Sequence, residues 1–152
     1  MRSRGALRID PGSLELGGDR AVMQIVVVHS RRSLTAAVLQ RTGELLSGLN
    51  AGVLLVAVHA VPFPASFASA TASHAHLVGE LADLAGQCYL PVTSRIVMAR
   101  YWEEGFRHLL REESTILVGT KKRLWRTAEE HLARTLAKDG HHVALLHVET
   151  GS

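Results

Sequence analysis

The sequence predicts an α/β protein built on an open five-stranded parallel sheet with helices on both faces. Three observations lead there. Five runs rich in Val, Ile and Leu are apolar throughout instead of alternating with polar residues, as befits strands buried on both faces. Stretches with helical spacing separate every run from the next. Each of these stretches is long enough for the crossover helix that a parallel connection needs.

The predicted strands are 22–29 (VMQIVVVH), 53–61 (VLLVAVHAV), 92–99 (VTSRIVMA), 115–119 (TILVG) and 142–148 (HVALLHV). The first helix, SLTAAVLQRTGELLSGL (33–49), sets Leu34, Val38, Leu45, Leu46 and Leu49 on one side. The second, SHAHLVGELADLAGQ (73–87), does the same with Leu77, Leu81 and Leu84. The third, YWEEGFRHLLREE (101–113), gathers Trp102, Phe106, Leu109 and Leu110. The fourth begins with a capping box, Thr127 and Glu130, carries Leu132 and Leu136 inward, and stops at Lys138, Asp139 and Gly140. Residues 1–20 mix arginines with acids and glycines and read as a flexible leader with a short hairpin at DPGS. Residues 21–150 form a single domain, and Gly151 and Ser152 are a tail.

A chain of 152 residues, 47% hydrophobic and 20% charged, has room for one core and not for two full domains. Its longest apolar runs fall far short of the roughly 18 residues of a membrane span, so no membrane insertion is expected. With Cys88 as its one cysteine the chain forms no internal disulfide, which points to a reducing compartment, the cytoplasm. The net charge of +3 is modest and partly carried by Arg2, Arg4 and Arg8, so anionic partners are admitted while nucleic acid is not expected.

Right-handed crossovers leave few strand orders, and in each the ligand crevice lies at the carboxyl ends of the strands where the winding reverses. The loop after the first strand reads HSRRS (29–33) and the turn after the fourth reads GTKKR (119–123). Only the order 3-2-1-4-5 makes these neighbours, gathering Arg31, Arg32, Lys121, Lys122 and Arg123 around one crevice. Unpaired cations so close repel, and a bound anion relieves the repulsion. Arginines in the opening turn of a helix also oppose its dipole and favour an anion there. His29, Ser30, Val61, Gly119 and Thr120 complete the candidate ligand-binding set. The order 2-1-3-4-5 of phospho-acceptor receivers needs acids where this chain has His29-Ser30 and Ala99-Arg100, and is set aside.

The chain resembles the universal stress proteins over residues 22 to about 149, through its element order, VAVHAVP (56–62), ILVGT (116–120) and VALLHVE (143–149). The resemblance implies the sheet order 3-2-1-4-5 and a homodimer joined through the last strand. Family members that bind ATP carry an aspartate at the end of the first strand, and a pattern G-x-x-G-x9-G-[ST] after the fourth. These positions fall here on His29, Gly119, Lys122 and Leu132-Ala133, so only Gly119 is kept. Glycines there let backbone N–H groups approach phosphate oxygens, so the departures bear on ATP binding directly. The eight residues GTKKRLWR (119–126) are also similar to the stress-protein-like domain of potassium-sensing histidine kinases, which implies a regulatory module.

Other chemistries find little footing. His74 and His76 lie two apart on a helix and do not face each other, His141 and His142 have no acid or cysteine at matching spacing, and no metal is expected. No nucleophile elbow, complete phosphate loop or dinucleotide fingerprint is present, so the expectation is a non-enzymatic domain. His29 and His59, at the carboxyl ends of neighbouring strands, are read first as donors to backbone carbonyls. The segment PFPASFASA (62–70) overhangs the crevice as a lid or a plain connector. Two readings stay open: a regulatory domain holding a phosphate-bearing ligand such as ATP or another nucleotide, and a ligand-free homodimeric interaction module.

Overall fold

The computed structural model describes residues 7–8, 23–121 and 128–148. Along the chain come β1 (Leu7–Arg8), β2 (Met23–Val28), α1 (Arg32–Leu45), β3 (Ala51–Ala60) and a short 3-10 turn (Ala68–Ala70). There follow α2 (Thr71–Ala85), β4 (Val92–Ala99), α3 (Trp102–Leu109), β5 (Thr115–Thr120), α4 (Ala128–Lys138) and β6 (His142–His147). The five predicted strands are β2 to β6. They are mutually parallel in the spatial order β4-β3-β2-β5-β6, which is the predicted 3-2-1-4-5. Outside β4, β1 adds an antiparallel edge, Leu7 opposite Val97 and Arg8 opposite Ile96. The DPGS stretch and Thr127 of the predicted capping box lie outside the described residues.

Successive side chains of a strand point to opposite faces, and both faces here are covered. Val27, Leu55 and Ala57 pack under Leu34, Val38 and Leu39 of α1 and Leu81 and Leu84 of α2. Val28, Val56, Ile116 and Val118 pack under Phe106 and Leu109 of α3 and Ala133 and Leu136 of α4. That double burial is why these strands are apolar without alternation. Among the described residues, no helix is long and apolar enough to cross a membrane.

One expectation is corrected. Leu45 and Leu49 are exposed, because α1 ends at Leu45 and the turn that follows lies at the pole where the strands begin. The inward stripe instead runs Leu34, Thr35, Val38, Leu39 and Thr42. At the end of α4, Gly140 takes φ +100° and its N–H donates to the Ala137 carbonyl at 3.0 Å, the glycine stop that the sequence predicts.

Candidate functional site: the crevice at the carboxyl ends of β2 and β5

β2 pairs directly with β5, Val26 opposite Ile116 and Val27 opposite Leu117, so their exit loops are neighbours. The His29 N–H donates to the Val56 carbonyl at 2.9 Å, carrying the β2–β3 ladder one residue beyond the strand. The chain then leaves the sheet, and extended Arg31 caps α1, whose first turn contains no acid. Arg31 and Arg32 thus sit at the positive end of a helix dipole, where a negative charge is stabilising.

The chain supplies that charge itself. His29 Nε2 lies 2.7 Å from Glu80 Oε2 and its Nδ1 lies 2.9 Å from Thr35 Oγ1. Burial pulls the His29 pKa below its ordinary value; the hydrogen bond and charge of Glu80 oppose this, and the nearby Arg32 cation reinforces it. The ring is therefore neutral at pH 7. A carboxylate can only accept, so Nε2 carries the proton and Nδ1 accepts from the Thr35 hydroxyl. That hydroxyl in turn accepts the Ser30 N–H at 3.2 Å. The end of β2 is thus held in a closed relay from the loop to α2.

Arg32 reaches Asp83 at 3.6 Å and Glu80 at 4.0 Å, both on α2. Arg31 turns the other way, its Nε 3.6 Å from Glu129 in the first turn of α4. One loop is therefore gripped from both helical layers, by Glu80 and Asp83 on one face and by Glu129 on the other. The expectation of unpaired cations is corrected for these two arginines.

The remaining predicted residues divide. Val61 is buried; its N–H is bound to the Ala99 carbonyl and its carbonyl accepts from Arg100. Thr120 is fully buried, and its carbonyl accepts the Val148 N–H. At Gly119 a Cβ would stand 2.5 Å from Val38 Cγ2 and 3.3 Å from the Leu34 carbonyl oxygen, so this glycine lets α1 lie close on β5. Lys121 is half-buried beside it. Ser30 Oγ is buried and makes no hydrogen bond among the described residues. Lys122 and Arg123 lie outside the described residues, as does most of GTKKRLWR. His59 stacks on His74, ring centroids 6.0 Å apart and planes 14° from parallel, rather than bonding to a carbonyl. Among the described residues, no group of three or more His, Cys, Asp or Glu is placed to hold a metal ion.

The 62–70 segment is tied down by Arg100 at the end of β4. Arg100 Nη1 donates to the carbonyls of Val61 and Ala65, while its guanidinium carbon sits 4.1 Å from the centroid of the Phe63 ring and 4.4 Å from that of Phe67.

The residues that sequence reasoning missed are the acids. Glu80 stands at i+3 from Leu77 and i−4 from Leu84, and Glu129 at i−4 from Ala133 and i−7 from Leu136, so both occupy inward positions of their helices. A carboxylate in an apolar stripe was the signal available.

No protein-family model matches the chain, and no curated protein sequence matches it. Among solved structures, it is similar to the universal stress protein from Archaeoglobus fulgidus, with a TM-score of 0.55 at 14% identity, over 81% of this chain and 92% of that one. At that identity the likeness establishes the fold, a universal-stress-protein-like α/β sheet, and nothing finer.

Proposed function

We propose that the chain is a non-enzymatic, universal-stress-protein-like regulatory module of the cytoplasm that acts by association, its crevice closed by its own carboxylates. One observation carries this reading: Arg31 and Arg32, the cations chosen for an external anion, are met by Glu129, Glu80 and Asp83. A phosphate entering there would have to displace three carboxylates or sit beside them, at a cost of about 1 kcal/mol per like-charge pair even at the dielectric of water. The missing glycines at positions 122 and 132 act in the same direction.

The surface for association is β6. Among the described residues it ends the sheet, whereas the opposite edge strand, β4, pairs with β1 at Val97 and Ile96. A groove lined by Ala133, Ala137, Val143 and Leu145 and flanked by the charged Glu130 and Arg134 runs beside it. An edge strand with partly exposed apolar side chains is a template for pairing, and a second copy of the chain fits it by symmetry.

Two measurements test the reading. Melts with ATP, AMP and cyclic dinucleotides are expected to show no shift; a ligand at 100 times its Kd would add about 2.7 kcal/mol, so a saturable rise overturns the closed crevice. Sedimentation is expected to give a dimer that Leu145→Lys converts to a monomer with unchanged circular dichroism. A monomeric wild type removes β6 as the seam.

A further inference from the structure

Glu129 is a carboxylate in an unusual place. It is 6% exposed, it lies in the first turn of α4, and the arginine facing it is more than half exposed and 3.6 Å away. A loose, half-exposed pair of that kind recovers less than burying a carboxylate costs. Ala133 and Leu136 continue the same inward stripe with apolar side chains, so packing alone would favour a leucine at 129. What favours a charge there is the positive end of α4, against which Glu129 is set, together with the Arg31 cation. Directly after β5, half-buried Lys121 makes no ion pair with any described residue, and next in sequence to Arg31 the buried Ser30 Oγ makes no hydrogen bond among them.

We propose that the Arg31–Glu129 ion pair is an autoinhibitory contact, in which a carboxylate of the chain holds the place of an external phosphate-type anion. The proposal rests on the closed-crevice reading above and adds what keeps the crevice closed. With Glu129 neutral, Arg31 and the positive end of α4 are left to one anion. Glu129 lies on the face opposite Glu80, so the His29 relay and the Arg32 pairs with α2 persist when it changes.

The test titrates inorganic phosphate and pyrophosphate into wild type, Glu129→Gln and Glu129→Gln/Arg31→Ala at low ionic strength, followed by calorimetry and thermal melting. Glu129→Leu, which suits the apolar stripe, serves as a second neutral variant should the amide fail to fold. The neutral variants are expected to show saturable binding where wild type shows none, a gain on the order of tenfold or more, the scale of deleting one like charge near a dianion. The added Arg31→Ala is expected to abolish the gain. A folded neutral variant that binds no better than wild type overturns the contact as an inhibitor, and so does a double variant that keeps the gain. Both results leave the closed crevice standing. Saturable binding by wild type itself overturns the closed crevice instead.

Discussion

Two exits from the same sheet carry arginines, and each solves its charge differently. Where β2 ends, Arg31 and Arg32 meet carboxylates delivered by helices on both faces. Where β4 ends, Arg100 meets two carbonyls and the faces of two phenylalanine rings, all from the 61–67 stretch. The first arrangement joins elements far apart in sequence; the second ties down a single loop. A cation at the carboxyl end of a parallel strand therefore does not by itself announce an anionic ligand, because the chain can answer it with acids, carbonyls or rings.

The most damaging way to probe the first exit is through its floor. Gly119→Ala places a Cβ 2.5 Å from Val38 Cγ2 and 3.3 Å from the Leu34 carbonyl, so α1 must lift from β5. Overpacking of this kind costs about 1–3 kcal/mol, expected as a lower urea midpoint. Because the His29 and Arg32 contacts depend on where α1 begins, amide exchange at Ser30 is expected to speed up while Ala65 stays protected. Equal loss at both exits would mean that they are one unit, and the contrast would fail.

The second exit is tested by Arg100→Ala, which deletes two hydrogen bonds and two ring contacts. A loss of roughly 1–2 kcal/mol is expected, with proteolysis concentrated in 62–70 and the α2 contacts of Arg32 unchanged. Cleavage no faster than wild type would show that the segment is held by something else.

How much of this was legible in the sequence follows from which physics each feature obeys. The strands and their order come from local pattern and from handedness: Ile25 to Val28 cannot be apolar at every residue unless both faces are covered, and two basic loops become neighbours in only one winding. The charge balance of the crevice is another matter. Arg31 and Arg32 sit beside each other in the sequence, but their partners lie about 50 and 100 residues away at Glu80 and Glu129. A periodicity reading places those acids on inward faces, and only the packed helices bring them to the loop. Gly119 shows the same limit, since a glycine kept for a helix and a glycine kept for a phosphate are identical in sequence.

His29 separates the exits by pH. Its pKa is lowered in the folded chain, chiefly by burial. The unfolded chain takes up this proton at about pH 6.5 and the folded chain only at lower pH, so the neutral ring's contribution is complete above about 6.5 and is lost as pH falls below it. Urea midpoints are expected to drop between pH 7.5 and 5.5, and His29→Asn is expected to flatten that drop. A slope unaltered by the substitution would mean that other groups carry it. The same acidification is expected to leave the Arg100 clamp alone, because carbonyls and phenyl rings do not titrate there.

The smallest expected effect is at Arg32. Its guanidinium is half exposed and its carboxylate distances are 3.6 and 4.0 Å, so Arg32→Ala is expected to cost about 0.2–1 kcal/mol, fading in high salt. The charge also acts on a neighbour: Arg32 helps to hold the His29 pKa down, so its removal is expected to move protonation of the His29 ring to higher pH and to shrink the stability lost in acid. Nuclear magnetic resonance titration of the His29 ring in Arg32→Ala reads that shift directly. A ring that titrates as in wild type would reduce Arg32 to an ordinary surface pair and leave the Glu80 relay independent of it. A ring that protonates at higher pH would show that the loop and α2 are coupled through charge as well as hydrogen bonds, a coupling that Arg100, with no titrating partner among the described residues, does not share.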